Sequence, residues 1–293
     1  MLEAHDFEIP QVNAEPGRLP YRLFVPADQM QARPLVVWLH GLGESGHDNV
    51  HQLRWTDTLV FQPPHECARY PFFFLVPQCP RQDESWHQVL GIKADGEPGE
   101  VLDFVAALIR RTIDDYPIDP DHVTLAGLSS GGTACWELAA RNPGLFAAIA
   151  PLASSGSPVE GIEQHIDIPV WAFHSIHDTN LEARIKETVN RLQKAEKLVH
   201  LSTVDGDGHN CWSMAFEEYH LLDWLLAARR GHSSPLPGSI SLKNRSRNLL
   251  KSWEPWQLVL TVFVPLMMAI ATWSALRSRT RMAVASSTAA PED

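Results

Sequence analysis

The stretch Val123-Thr-Leu-Ala-Gly-Leu-Ser-Ser-Gly-Gly-Thr133 decides the fold, because it places a serine between two glycines where an apolar run meets a helical pattern. Residues 123–126 are β-prone, and residues 133–141 have helical spacing with few helix breakers. The spacing Gly127-x-Ser129-x-Gly131 is typical of a sharp strand-to-helix turn, in which a side chain at either flanking position would collide with a neighbouring strand or helix. Ser129 is therefore predicted to be a nucleophile. The alternative is a tight turn whose serine only caps the helix.

Length, charge and cysteine content narrow the classes of function. The chain has 293 residues, which is enough for one α/β domain and an appendage. Its formal net charge of −11 makes nucleic acid an unexpected partner, since binding to phosphates needs a basic face. The four cysteines are scattered without the pairing typical of metal sites, so we interpret them as reduced or buried thiols.

A second glycine-bearing motif, His40-Gly-Leu-Gly-Glu44, follows the apolar run Pro34 to Leu39. Such a run is typical of a strand that is buried on both faces of a parallel sheet. Acyl transfer builds negative charge on a carbonyl oxygen, and fixed backbone N–H groups must point at that oxygen. We expect Ser130, which follows the nucleophile, and Leu42 to supply this oxyanion hole, while His40 shapes the loop and is not the base. A plain glycine turn is the alternative for this motif.

Candidates for the acid and the base follow two later strands. The run Ile168 to His174 is predicted to be a strand that leads to Asp178, and a carboxylate just beyond a strand end can orient a histidine. Asp205 and Asp207 are the rival acids, and a solvated loop aspartate is the other alternative. The glycine-rich loop after the last predicted strand holds His209, the predicted general base, because a loop histidine can take and return a proton near neutral pH. A helix-capping or core histidine is the alternative.

Two tryptophans are candidates for the substrate pocket. Trp86 lies in a polar loop and Trp212 follows the predicted base, although an aromatic side chain in a loop is as often simply packed. His174 and His177 next to Asp178 raise the possibility of a metal site, but no second group of ligands with matching spacing follows. We therefore expect no metal and no cofactor.

The order Ser129, Asp178, His209 is the order of the α/β-hydrolases. From Leu19 to about Arg230 the sequence resembles the predicted-peptidase and polyhydroxybutyrate-depolymerase-like esterase branch of that superfamily, which is dienelactone-hydrolase-like. The resembling stretches are Leu35–Glu44, Val76–Pro80, Leu125–Gly132, Phe146–Pro151, Pro169–His174 with Asp178, and Gly208–Trp212. The resemblance implies an α/β-hydrolase fold, with a mostly parallel eight-stranded sheet and helices on both faces, and the same nucleophile, acid and base.

The C-terminal part of the chain has a different pattern. Residues 256–276 form 21 positions without a charged side chain, and 20 or so apolar residues at about 1.5 Å each span a bilayer core of roughly 30 Å. We expect a transmembrane helix there, with a buried core helix as the alternative. The predicted domains are a catalytic domain (1–232), a basic Pro/Ser-rich linker (233–255), this helix (256–276) and a short polar tail (277–293). Residues 1–10 show no signal-peptide pattern, so the catalytic domain is expected in the cytoplasm, held by a single-pass C-terminal membrane anchor.

These observations predict a membrane-tethered serine hydrolase that cleaves carboxylic esters through a Ser-His-Asp triad and an acyl-enzyme. Its expected partners are a small-molecule ester or peptide substrate and the membrane, and nucleic acid is not expected. A serine peptidase of the same fold is one alternative, because the same residues cleave amides. A catalytically silent binding module displayed at a membrane is the alternative from another class of function.

Overall fold

The computed structural model describes residues 2–9, 17–56, 71–80, 86, 89–93 and 97–232, all of which belong to one compact unit, Met1–Ile240. The strands are β1 (Leu2–Ile9), β2 (Gly17–Phe24), β3 (Arg33–Leu39), β4 (Phe73–Pro77), β5 (Val89–Ile92), β6 (Pro98–Glu100), β7 (Ile118–Leu128), β8 (Ala148–Leu152), β9 (Val170–Ser175) and β10 (Val199–Val204). The helices are α1 (Val101–Asp115), α2 (Ser130–Arg141), α3 (Ile162–His165), α4 (Thr179–Lys194), α5 (Trp212–Glu217) and α6 (Leu221–Ala227). Short 3₁₀ helices lie at Leu42–Glu44 and His51–Leu53.

Eight strands form the main sheet, in the order β1-β2-β4-β3-β7-β8-β9-β10. The strands from β4 to β10 in this order pair in parallel, whereas β1 with β2 and β2 with β4 pair antiparallel. Every residue of β4 and of β8 is buried, as the continuous apolar runs of strands covered on both faces predict. The carboxyl ends of the parallel strands meet at one edge of the sheet, where ligands of open α/β sheets bind.

Helices cover both faces of this sheet, as predicted. On one face α1, α2 and α4 contribute Leu108, Trp136 and Ile185 to a buried apolar cluster. On the other face α5 and α6 pack onto the sheet, where the Trp224 ring meets Trp171 edge-on at 5.5 Å. Both clusters stabilise the sheet, and the ends of its strands position the loops that follow them.

The cysteines in the described residues are buried thiols. Cys135 and Cys211 are free, Cys79 is buried as well, and Cys67 lies outside the described residues. Burial raises the pKa of the Cys211 thiol to about 12 and the pKa of Cys135 well above its ordinary value. Both side chains therefore pack as small apolar groups, as the sequence indicated.

The predicted fold class needs a correction about the sheet, which is mixed: two of its strand pairs are antiparallel and the other five are parallel. The antiparallel strands β1 and β2 form one edge, and β2 continues antiparallel to β4. Only residues 10–16 join β1 to β2. A connection this short permits an antiparallel hairpin, whereas a parallel pair needs a crossover of about a dozen residues or more.

The transmembrane helix of the predicted fold class is also not supported. Within the residues that the structure describes, no helix has the length and apolar character needed to cross a membrane. Residues 256–276 themselves lie outside the described residues, as do the predicted linker and tail. The prediction rested on the sequence pattern of this segment. The described residues therefore support the α/β-hydrolase part of the predicted fold class and not this helix.

Candidate active site

Ser129 lies at the sharp turn between β7 and α2. Its backbone has φ 56° and ψ −118°, a region that residues with a side chain rarely adopt. The turn is held because the Ser129 N–H donates to the Leu152 carbonyl at 2.8 Å and the Ser129 carbonyl accepts the Thr133 N–H at 3.0 Å. The Ser129 side chain makes no capping hydrogen bond to α2, so the alternative of a serine that only caps the helix is not supported.

The glycines around Ser129 are required by close backbone contacts. A Cβ on Gly127 would lie 2.7 Å from the Gly131 carbonyl oxygen, and a Cβ on Gly132 would lie 2.5 Å from the Leu152 carbonyl oxygen. A Cβ on Gly131 would overlap the carbonyl of Leu39 at the end of β3. The steric reason that the sequence suggested for this glycine pattern is therefore confirmed.

A line of hydrogen bonds joins the three residues predicted as nucleophile, base and acid. Ser129 Oγ is 2.9 Å from His209 Nε2, and His209 Nδ1 is 2.5 Å from Asp178 Oδ2. Asp178 is buried at the turn after β9, where its N–H donates to the Ser175 carbonyl at 3.1 Å. The His209 side chain is 41 % exposed, so the imidazole can meet a substrate while its other nitrogen faces a buried carboxylate. This geometry permits proton transfer from serine to histidine, with the carboxylate fixing the tautomer.

The rival acids lie elsewhere. Asp205 Oδ1 is 2.7 Å from His177 Nε2 in an exposed pair. Asp207 begins the turn that contains His209, where the Asp207 main-chain carbonyl accepts the Asn210 N–H at 2.9 Å. The structure therefore places Asp178, and neither rival, on the His209 ring.

The loop that carries His209 is a tight turn fastened to α5. Gly208 has φ 58°, which suits a residue without a side chain. The Asn210 side-chain oxygen accepts the N–H of Ser213 at 3.2 Å, and the Asn210 side-chain nitrogen donates to the Ser213 hydroxyl at 3.1 Å. His209 is thus presented between a glycine turn and the first turn of a helix.

The two predicted oxyanion donors flank Ser129. Leu42 and Ser130 are the first residues of a 3₁₀ helix and of α2, and N–H groups at a helix start have no partner within the helix. The loop of Leu42 lies against the nucleophile, since a Cβ on Gly41 would be 3.4 Å from Ser129 Cβ. Backbone N–H groups in such places suit a developing negative charge, and the helix dipole of α2 adds to the effect.

His40 is buried beside this loop and does not reach Ser129. Its Nδ1 is 2.5 Å from the Gly41 carbonyl oxygen, and its Nε2 accepts the Cys79 N–H at 2.9 Å. Both ring nitrogens are therefore engaged by the backbone. This agrees with the prediction that His40 shapes the loop and is not the base.

The two tryptophans predicted for the substrate pocket differ in position. Trp86 is 1 % exposed, and its Nε1 donates to the His40 carbonyl at 3.2 Å, so it supports the loop from beneath. Trp212 is 5 % exposed and meets the His209 ring edge-on at 5.9 Å. Trp212 therefore packs against the base, whereas the Trp86 ring faces the interior.

Sequence reasoning missed two further residues beside the site. The Trp55 ring meets Trp212 edge-on at 5.3 Å, and its Nε1 is 3.2 Å from Glu44 Oε1. Glu44 is buried, and its Oε2 would lie 3.0 Å from a Cβ on Gly41. The only sequence signal was the position of Glu44 at the end of the glycine motif. Trp55, Trp212 and His209 form an aromatic side of the site.

The histidines considered as metal ligands are not gathered around Asp178. His177 pairs with Asp205, and His174 is buried within β9. Within the ranges that the structure describes, no group of three or more histidines, cysteines, aspartates or glutamates is arranged to hold a metal ion.

Comparison with known families and curated proteins gives two matches. A family model described as phospholipase/carboxylesterase matches residues 22–221, a range that contains every residue of the site described above. A protein of Nocardia uniformis subsp. tsuyamanensis, provisionally named the esterase NocK, is 32% identical over 83 residues, which are 28% of this chain. The match covers 24% of that relative's length.

Solved structures give similar matches. A thermostable esterase is 30% identical with a TM-score of 0.65, and the match covers 78% of this chain and 63% of the esterase chain. A provisionally titled dienelactone hydrolase of Klebsiella pneumoniae subsp. pneumoniae is 14% identical with a TM-score of 0.54, over 77% of this chain and 98% of the other. At 14% identity the second likeness shows the fold alone.

Proposed function

The chain belongs to the phospholipase/carboxylesterase family of α/β-hydrolases, and from that membership we propose that it cleaves carboxylic esters with Ser129, His209 and Asp178 as its catalytic triad. The predicted resemblance to α/β-hydrolase esterases, and the predicted class of enzyme, are confirmed by the family match and the thermostable esterase. The reaction, the roles of individual residues and the substrate are the proposal.

One observation carries this proposal most directly. It is the line of hydrogen bonds from Ser129 Oγ through the two nitrogens of His209 to Asp178 Oδ2. A serine hydroxyl is a weak nucleophile by itself, and an adjacent base oriented by a third group activates it. The strained backbone of Ser129 also supports its role as the nucleophile, because a serine with only a structural role does not require a strained backbone.

The proposed reaction has two halves. Ser129 Oγ attacks the ester carbonyl while His209 Nε2 takes the hydroxyl proton, and the backbone N–H groups of Leu42 and Ser130 hold the oxyanion. His209 then gives the proton to the leaving alcohol, which leaves an acyl group on Ser129. Water, activated by the same imidazole, attacks the acyl-enzyme and releases the acid. Asp178 stabilises the imidazolium in both halves and keeps the proton of the neutral ring on Nδ1.

Ester turnover by the full-length chain tests the proposal. p-Nitrophenyl acetate and butyrate are suitable substrates, and matched peptide anilides measure amide cleavage by the same residues. Ser129→Ala should lower kcat by on the order of 10⁶, because the nucleophile is lost and the fold is not. Ser157→Ala is the matched control, since Ser157 lies outside the site and its hydroxyl accepts only the Val159 N–H among the described contacts. Turnover of Ser129→Ala within tenfold of wild type would reject the assignment.

A further inference from the structure

We propose that His40 is a positioning residue that fixes the orientation of the Gly41–Leu42 peptide, so that the Leu42 N–H points at the oxyanion. This inference rests on the proposed esterase function and adds a residue to it. His40 touches neither substrate nor Ser129, so it acts only through the backbone of the loop.

The hydrogen bonds of His40 define one state of its ring. Nδ1 is 2.5 Å from the Gly41 carbonyl oxygen, so it must carry a proton, and Nε2 faces the Cys79 N–H at 2.9 Å, so it must carry none. Only the neutral ring with its proton on Nδ1 satisfies both contacts. Burial lowers the pKa of His40 to about 4, opposed by the bond to Gly41, so the ring is neutral near pH 7.

The planarity of the peptide transmits this bond to Leu42. The carbonyl of Gly41 and the N–H of Leu42 belong to one peptide unit, which is trans, and in a trans unit the two bonds point in opposite directions. Because the carbonyl points at the buried His40 ring, the N–H points away from that ring. The loop also lies against Ser129, since a Cβ on Gly41 would be 3.4 Å from Ser129 Cβ.

The hydrogen bond from His40 to the Gly41 carbonyl is needed because of the glycine at position 41. A Cβ there would lie 2.7 Å from Leu128 Cδ1 and 3.0 Å from Glu44 Oε2, so both of those side chains would have to shift. A glycine leaves the adjacent peptide freer to rotate than any other residue does. The Gly41 carbonyl also accepts the Glu44 N–H, but at 3.3 Å this is a longer bond than the one from His40.

The His40 ring is itself held from several sides. The Trp86 ring packs against it with centroids 4.8 Å apart, and Trp86 Nε1 donates to the His40 carbonyl. Cys79, which donates to Nε2, accepts the Gly46 N–H at 2.8 Å, and Gln78 donates to the Glu44 carbonyl at 3.1 Å. The loop after β4 is therefore joined at several points to the loop His40–Glu44, which we call the oxyanion loop. This suits the Leu42 N–H, which must be in place before negative charge develops on the substrate oxygen.

Two substitutions of His40 separate the two hydrogen bonds. In His40→Asn the amide nitrogen takes the position of Nδ1 and can donate to Gly41, but the Cys79 N–H loses its acceptor. In His40→Gln the amide oxygen takes the position of Nε2 and can accept from Cys79, but the Gly41 carbonyl loses its donor. Each variant removes one buried hydrogen bond, so their structural costs are matched.

The test is steady-state hydrolysis of p-nitrophenyl butyrate by the full-length wild type and both variants, with thermal unfolding as a check of folding. His40→Gln should lower kcat about 10²-fold with KM nearly unchanged, because the lost interaction exists only in the transition state. His40→Asn should retain kcat within about tenfold of wild type.

Equal losses of kcat in the two variants, or a loss that falls on KM, would overturn the role of His40 while leaving the esterase proposal intact. An inactive wild type would instead reject the proposed function, and this inference with it. If His40→Gln does not fold, His40→Asn decides alone, because it keeps a donor for the Gly41 carbonyl. A kcat within about tenfold of wild type would support the proposal, and a loss of about 10²-fold or more would overturn it.

Discussion

Two loops reach Ser129, each with one histidine, and their environments differ. The oxyanion loop, His40 to Glu44, keeps its histidine buried with both ring nitrogens on backbone groups. The base loop, Asp205 to Trp212, exposes 41 % of the His209 side chain and places its nitrogens on a hydroxyl and a carboxylate. In the proposed mechanism, the same residue type therefore serves as a fixed support in one loop and as a proton carrier in the other. The surroundings, and not the side chain, assign the role.

The sharpest contrast between the two loops is the effect of losing each histidine. His209→Ala should lower kcat for p-nitrophenyl esters by on the order of 10⁶, because the serine loses the base that takes its proton. His40→Gln, which removes the hydrogen bond to the Gly41 carbonyl, is the comparison variant, with an expected loss of about 10²-fold. Similar losses in both variants would mean that the two histidines do not have the separate roles described here.

The next test of this comparison is Asp178, the carboxylate that faces His209. Asp178→Asn should lower kcat about 10⁴-fold, because an amide in place of the carboxylate favours the wrong tautomer of His209. Asp205→Asn and Asp207→Asn are the matched controls, since the Asp205 carboxylate pairs with His177 and Asp207 joins its turn through the backbone. If Asp207→Asn cost more than Asp178→Asn, the acid of the base loop would have to be reassigned.

The buried histidine should appear in the pH dependence of stability. Burial lowers the pKa of His40 from 6.5 to about 4 in the folded chain. Below about pH 6.5 the unfolded chain takes up a proton that the folded chain refuses, so stability falls until about pH 4 and then levels off. At 1.36 kcal/mol per pKa unit the loss is roughly 3 kcal/mol.

Denaturant unfolding of wild type and His40→Asn between pH 4 and 8 measures this contribution. The difference in unfolding free energy between the two proteins should change with pH over that interval, because the variant has no group to titrate at this position. A constant difference would show that the buried ring does not make the expected contribution.

The smallest expected effect concerns the exposed pair of the base loop. His177 and Asp205 lie 2.7 Å apart with side chains that are 54% and 76% exposed. A pair this exposed stabilises a fold by about 0.2–1 kcal/mol. A double-mutant cycle with His177→Asn and Asp205→Asn should give a coupling energy in that range and a kcat close to wild type. A coupling several times larger would show that this pair positions the base loop.

The positions of the candidate site residues could be predicted from the sequence better than the packing around them. The sharp turn at Ser129 was predictable because close contacts at Gly127 and Gly131, within a few residues of the serine, leave no room for a side chain. Asp178 was predictable because it follows a recognisable strand, and parallel strands bring their carboxyl ends to one edge. The buried position of Trp86 was not predictable, since its partner His40 lies 46 residues away and the contact depends on how two loops pack.

The errors in the fold have the same origin. The apolar runs of β3 and β7 read as buried parallel strands, and they are. The edge strands β1 and β2 pair antiparallel across a short connection, so the sheet is mixed, which the resemblance did not imply. The segment 256–276 was interpreted from its sequence pattern, and it lies outside the described residues. Trp55 was missed because its role comes from contact with Trp212, far away in the chain.

Labelling with a fluorophosphonate, followed by location of the modified residue by mass spectrometry, tests the central claim most directly. The probe reacts with a serine that is activated by a base and supported by an oxyanion hole. The two loops compared above supply these two parts of the proposed site. The account predicts one modified residue, Ser129, in the folded full-length chain, and loss of the label in His209→Ala. A folded chain that takes up no label would contradict the account and favour a silent binding module on the same fold. Labelling at another serine would also contradict the account, because the nucleophile would then be that residue.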